Sequence, residues 1–232
     1  DWYSNTLLSK GREQGYRAIS YILFKPHHLM VIYLFFSIGG YIMSLKGIIK
    51  QIELDKRNTE YTNKNIPPIL QVDKEAILIV GQAPGKKVEE SLIPFNDKSG
   101  ETLISWMGID KDTFYSKEIA IVPMDFYYPG KAKTGDLPPR KFIAQEYHGP
   151  ILKELNNIEL TILIGKYSMD YYLKGRTKKN LTETVRCFDE YLPKYFPIVH
   201  PSPLNFRWQA KNPWFVQDVV PVLKKTVKKI LK

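Results

Sequence analysis

Ala76-Ile77-Leu78-Ile79-Val80-Gly81-Gln82-Ala83-Pro84-Gly85 runs from an unbroken apolar stretch straight into a Gly/Pro turn. A run with no polar alternation is the pattern of a strand buried on both faces of a parallel sheet. Ligands on open α/β sheets bind in the crevice outside the carboxyl ends of the strands, so chemistry is expected at the turn that follows. Gly81 and Gly85 admit backbone conformations closed to other residues and let a ligand approach closely. Pro84 fixes the turn between them.

Working outward, further apolar runs occur at 119–122, 160–164 and 196–199, each bounded by polar or Gly/Pro residues. Helical patterns fall between them, at 100–107, 140–155, 167–173 and 181–191. Within 140–155 the apolar residues Phe142, Ile143, Tyr147, Ile151, Leu152 and Leu155 recur near the 3.6-residue period. Ile48, Ile49, Ile52 and Leu54 mark a short helix ahead of the first strand, and Pro213 opens a last one reaching 231. Strand alternating with helix predicts an α/β protein, with a central four-stranded parallel sheet as the middle of three α/β/α layers. No repeat or low-complexity linker interrupts residues 43–232, which read as one domain.

Residues 1–42 read differently. The segment 29–45 is 17 residues without a charge, at the lower edge of the length that spans a bilayer. Its distance from the N-terminus and the lack of a small-residue cleavage site argue against a signal peptide. Another reading explains more. Gly39-Gly40-Tyr41-Ile42-Met43 can be encoded by GGAGGTTATATTATG, a purine-rich bacterial ribosome-binding site followed by a start codon. On that reading the native protein begins at Met43, residues 1–42 are translated upstream sequence, and no membrane attachment is expected. A membrane tether through 29–45 is the competing reading.

Over 232 residues, 44% hydrophobic and 25% charged content is that of a globular chain, not a disordered one. The formal charge of +10 favours a polyanionic partner such as nucleic acid, or a membrane surface. Cys187 is the sole cysteine. That excludes an intrachain disulfide framework and a cluster of cysteine ligands, and fits a reducing cytoplasm. With four histidines besides, no metal or other cofactor is expected.

Each strand end carries an unusual cluster. Gln82-Ala83-Pro84-Gly85 and Pro94-Phe95-Asn96-Asp97 follow the first, and Pro123-Met124-Asp125-Phe126-Tyr127-Tyr128-Pro129-Gly130 the second. Gly165-Lys166 follows the third, and His200-Pro201-Ser202-Pro203-Leu204-Asn205-Phe206-Arg207-Trp208 the fourth. Parallel strands end at one edge, so these clusters should converge into a binding site.

Gly-Gln-Ala-Pro-Gly with Pro-Phe and a Ser-Gly-x-x-Leu helix start resembles the first motif of the uracil-DNA glycosylase superfamily, most closely its family four. His200-Pro201-Ser202-Pro203-Leu204 is similar to the second motif, the leucine loop. The resemblance implies the uracil-DNA glycosylase-like fold and a monomeric base-excision repair enzyme acting on DNA. It would hydrolyse the N-glycosidic bond of uracil or another damaged base. Such an enzyme extrudes the nucleotide into a pocket or takes single-stranded substrate. Phe95 then stacks on the base, the amides around Gln82 and Ala83 address its carbonyls, and Asn96 is a further candidate on that loop. His200 stabilises the negative charge on the departing base. Pro201, Ser202 and Pro203 pinch the DNA backbone and Leu204 fills the space left by the flipped base. Asn205, Arg207, Trp208 and Lys211 add charge and aromatic surface for phosphates and bases. Lys224, Lys225, Lys228, Lys229 and Lys232 read as a solvated helix face.

The sequence departs from the family where water is activated. Ala83 stands where the best-known members place an aspartate, and Gln82 where family four has a glutamate. The uracil-reading asparagine expected after the second strand is also missing. A glutamine orients a water but cannot take its proton. Water activation therefore falls to Gln82, Asp125 or Asp97. The four iron–sulfur cysteines of family four are absent. The alternative is a non-catalytic module that binds nucleic acid or a nucleotide in the same crevice.

Overall fold

The computed structural model describes residues 3–8, 17–25, 28–36, 44–73 and 75–232. The chain divides into two compact units, Asp1–Ser44 and Leu45–Lys232.

In the first unit β1 (Tyr3–Leu8), β2 (Arg17–Lys25) and β3 (His28–Phe36) form an antiparallel sheet in the order β1-β2-β3. Ile19 pairs with Leu34, and Lys25 with His28. The charge-free segment at 29–45 thus starts as a strand, in keeping with the β-branched and aromatic residues Val31, Ile32, Tyr33, Phe35 and Phe36. Residues 39–43, on which the upstream-start reading depends, lie outside the described residues. Among the described residues no helix is long and apolar enough to cross a membrane.

The second unit is built on β4 (Ile77–Val80), β5 (Ile119–Ile121), β6 (Leu160–Ile164) and β7 (Tyr195–Ile198). These form an all-parallel sheet in the order β5-β4-β6-β7, with Ile77 opposite both Ile119 and Leu160. Every residue of β4, β5 and β6 is buried. Successive side chains in a strand point to opposite faces, so the sheet is covered on both, as the unalternating sequence requires. Pro197, which has no amide hydrogen to donate, sits in the edge strand β7. The other edge is closed by Gln71, which exchanges two backbone hydrogen bonds with Ile121 (2.9 and 2.7 Å).

Two expected helices are interrupted by wide π turns, and the 181–191 pattern breaks at Cys187 into Leu181–Arg186 and a 3-10 turn at Phe188–Tyr191. The 140–155 pattern becomes Lys141–Ile143, a wide π turn at Ala144–His148, and Gly149–Glu154. The last helix is a π turn at Phe215–Val219 followed by Val220–Ile230. Each wide turn immediately precedes a proline-bearing turn, at Pro150 and Pro221. A proline ring crowds the carbonyl four residues back and cannot donate to it, so the helix widens there. Four short helices were not anticipated: Thr59–Thr62, Lys86–Ser91, Lys111–Phe114 and Phe206–Lys211.

Candidate active site

The ends of β4 and β5 stay zipped together beyond the strands. Met124 N donates to Gly81 O (2.9 Å) and Asp125 N to Gln82 O (3.1 Å). Above them opens a cavity of about 470 Å³. Gln82, Ala83, Phe95, Asp97, His200, Ser202 and Leu204 all line it, together with Pro123. Residues from the loops after β4, β5 and β7 therefore meet at one sheet edge.

The β4 wall is shaped around the Phe95 ring. A Cβ on Gly81 would come within 3.2 Å of Phe95 Cζ, so the glycine there makes room for the ring. Gly85 has an ordinary extended backbone (φ −83°), so the conformational freedom expected of it is unused. Phe95 itself sits at φ +57°, uncommon for a bulky side chain and costing of order 1–3 kcal/mol. The loop around it supplies the compensation. Tyr115 Oη donates to Pro94 O (3.0 Å), and Gly100 packs against the Phe95 carbonyl so tightly that a Cβ there would lie 1.8 Å from the oxygen. Asp97 then caps the helix Lys98–Met107, its Oδ1 accepting from Gly100 N (3.0 Å). That cap starts the helix two residues before the apolar pattern does. Neither the Gln82 nor the Ala83 amide donates to another described residue, so both remain available to a ligand.

The β7 wall carries His200. Its Nδ1 accepts a hydrogen bond from Ser202 N (3.2 Å), which leaves the ring proton on Nε2. Burial pushes the imidazole below its usual pKa, against the opposing pull of Asp97 and Asp136. His200 is accordingly a neutral donor near pH 7. The loop beyond it is stiffened from within: Ser202 Oγ accepts from Leu204 N (3.2 Å) and Asn205 Nδ2 donates to His200 O (2.7 Å). Leu204 stands 81% exposed at its tip, with Phe206 also exposed.

Several expected site residues lie elsewhere. Asp125 is fully buried and does not line the cavity. Arg140 grips both its oxygens, Nε to Oδ2 and Nη2 to Oδ1 at 2.8 Å each, while the amides of Tyr127 and Arg140 donate at 3.1 and 3.0 Å. With every acceptor site taken it is a structural ion pair, not a base for water. Asn96 is exposed and outside the cavity. Asn205 is spent on the loop carbonyl. Trp208 donates to Thr182 Oγ1 (2.9 Å) and packs edge-on against Trp214 and Phe215, an internal role. Pro201 is buried, while Pro203, Arg207 and Lys211 are exposed, Arg207 and Lys211 on the helix Phe206–Lys211, and none of the four lines the cavity. Lys224, Lys225, Lys228 and Lys229 are exposed on the last helix.

Two residues went unnoticed. Asp136 lines the cavity from a small hairpin after β5; its only sequence signal is the neighbouring Gly135, a turn residue. His148, fully buried in the first π turn, donates from Nε2 to Pro123 O (2.9 Å) and accepts from Tyr172 Oη at Nδ1 (2.7 Å). It thereby anchors the β5 end under the cavity. Burial drives its pKa down to about 4. Among the described residues no three His, Cys, Asp or Glu side chains gather to hold a metal ion.

A parallel α/β sheet whose strand-end loops pool an aromatic ring, a neutral histidine and carboxylates in one cavity defines a small-ligand or base-binding site of the open-sheet kind. The family model described as the uracil DNA glycosylase superfamily matches residues 67–224, and the chain belongs to that superfamily. The match spans β4 to β7 and both walls of the cavity. At the level of the family, this is a DNA glycosylase-like protein with DNA as the implied substrate.

Proposed function

We propose that the protein is a base-excision repair glycosylase, hydrolysing the N-glycosidic bond of uracil or another damaged base. What carries the reading is the pairing of Phe95 and His200 across one cavity that the Gln82–Ala83 loop also lines. A flipped base stacks on the Phe95 ring, and its carbonyls meet the unused Gln82 and Ala83 amides. As the C1′–N bond breaks, the sugar becomes oxocarbenium-like and the electron pair moves onto the base. His200 Nε2–H then donates to the base oxygen that gains charge. Burial keeps the imidazole neutral, so it stabilises the leaving base without first having to lose a proton. Leu204, exposed at the loop tip, is placed to enter the stack, with Ser202, Arg207 and Lys211 near the backbone.

The test is base release from single- and double-stranded oligonucleotides carrying uracil, hypoxanthine or xanthine, scored as abasic sites. His200→Ala should lower single-turnover release by about 10²–10³-fold, as loss of one preorganised donor does. Salt-sensitive DNA binding with no release by the wild type would favour a binding module instead.

A further inference from the structure

We propose that Asp136 is the catalytic carboxylate that takes the proton of the attacking water, an inference that rests on the glycosylase reading. The β4 turn holds no acid, and its Gln82 is engaged elsewhere: Nε2 donates to Leu137 O at 3.4 Å. That bond ties the hairpin after β5 to the turn where the acid is missing, and Leu137 is the residue next to Asp136. The hairpin is a defined structure. Ala132 N donates to Gly135 O (3.0 Å) and Leu137 N to Gly130 O (2.8 Å), with Gly135 at φ +75°.

Two acidic residues line the cavity, Asp97 and Asp136. Asp97 holds the Lys98–Met107 helix start through Oδ1, and its Oδ2 lies on the Gly85 side, 4.0 Å from where a Cβ of that glycine would stand. It shares a short loop with Phe95, on the wall that receives the face of the base. Asp136 comes from the hairpin after β5; among the described residues Tyr128 Oη, donating to Oδ1 at 3.3 Å, is its one side-chain partner and Oδ2 accepts no hydrogen bond. Asp136 and His200 line the same cavity, so the proton acceptor and the leaving-base donor face one space, and both Asp97 and Asp136 act on the His200 charge.

The step balances as a hydrolysis. Water oxygen bonds to C1′ while the C1′–N bond breaks and its electron pair leaves with the base. Asp136 takes the water proton and later returns it through solvent to the base anion. Free base and an abasic sugar are the products, with His200 unchanged.

The full chain is assayed for single-turnover release from a single-stranded uracil oligonucleotide, alongside binding of an uncleavable 2′-fluoro analogue. Asp136→Asn should cut release by 10²-fold or more, within the range of a lost general base, and leave analogue binding within about threefold and the melting temperature unchanged. Asp136→Glu should restore part of the rate. Asp97→Asn, which still caps the helix, should lose less than Asp136→Asn. Release by Asp136→Asn within tenfold of the wild type overturns the proposal. A wild type that releases nothing counts against the glycosylase reading, and a second measurement then decides Asp136 alone. The wild type should bind a cationic pyrrolidine abasic analogue at least tenfold more tightly than neutral tetrahydrofuran, and Asp136→Asn should lose that preference. An equal preference in both proteins overturns the assignment.

Discussion

Asp125 and Asp136 lie on the same segment after β5, yet their surroundings are opposite. Asp125 is fully buried with both oxygens gripped by Arg140 and two amides. Asp136 is exposed at the cavity rim with a tyrosine hydroxyl for a partner. The same contrast separates the two key histidines, His148 sealed beneath the cavity and His200 on its wall. A carboxylate or imidazole becomes scaffold or reagent according to how many of its lone pairs and protons the fold has already used.

The largest effect expected from that contrast is on stability. Arg140 also donates to Asn58 Oδ1 (3.0 Å) and lies over the Tyr61 ring, 4.8 Å from its centroid, so it holds the segment before β4 against the one after β5. Asp125→Ala strands this guanidinium in a largely buried place. The expected loss is about 3–5 kcal/mol, measured by denaturant unfolding. Adding Arg140→Met should cost less than the sum of the two single changes, because neither partner is then left alone. Asp136→Ala should stay within about 0.5 kcal/mol of the wild type. Equal losses at the two aspartates would break the contrast.

These differences show why the sequence disclosed some of the molecule and hid the rest. The four parallel strands are legible because full burial writes itself as unbroken apolar runs. Phe95 and His200 are legible because local motifs carry them, and the structure brings both to one cavity. Asp125 reads as a reagent because a carboxylate after a strand end looks available; the Arg140 that consumes it arrives fifteen residues later. Trp208 misleads in the same way, since Thr182 and Phe215 close on it only in the fold. Asp136 is silent because nothing local distinguishes a turn aspartate from one beside a cavity. The β3 strand was hidden by its own hydrophobicity, a charge-free run being equally a strand and a short span.

A second effect separates the histidines. The unfolded His148 binds a proton near pH 6.5, while the folded one resists until about pH 4. The unfolded chain thus takes up protons first, so the stability held above pH 6.5 drains away as the pH falls toward 4. The shift corresponds to about 3 kcal/mol, and the lowered pKa of His200 acts in the same direction. Unfolding midpoints at pH 7 and pH 4.5 should differ accordingly. His148→Gln should be less stable at pH 7, having lost the fit to Pro123 O and Tyr172 Oη, but should flatten that dependence. His200→Ala should leave most of it in place. A steep slope retained in His148→Gln would mean that the proton is taken up elsewhere.

The smallest effect belongs to the outermost residue. Leu204 is exposed in the free protein, so Leu204→Ala should leave the melting temperature unchanged. Its burial comes only when it enters the space vacated by a flipped base, where a leucine side chain gains about 1.5–3 kcal/mol. Opening a paired duplex costs a few kcal/mol that an unpaired strand does not, so the wedge matters where pairing opposes extrusion. Release from a duplex should fall roughly 10-fold or more, with release from the single strand nearly unaffected. Equal losses on both substrates would move Leu204 from the stack to the pocket itself, whose lining it already touches, and would make it part of base recognition.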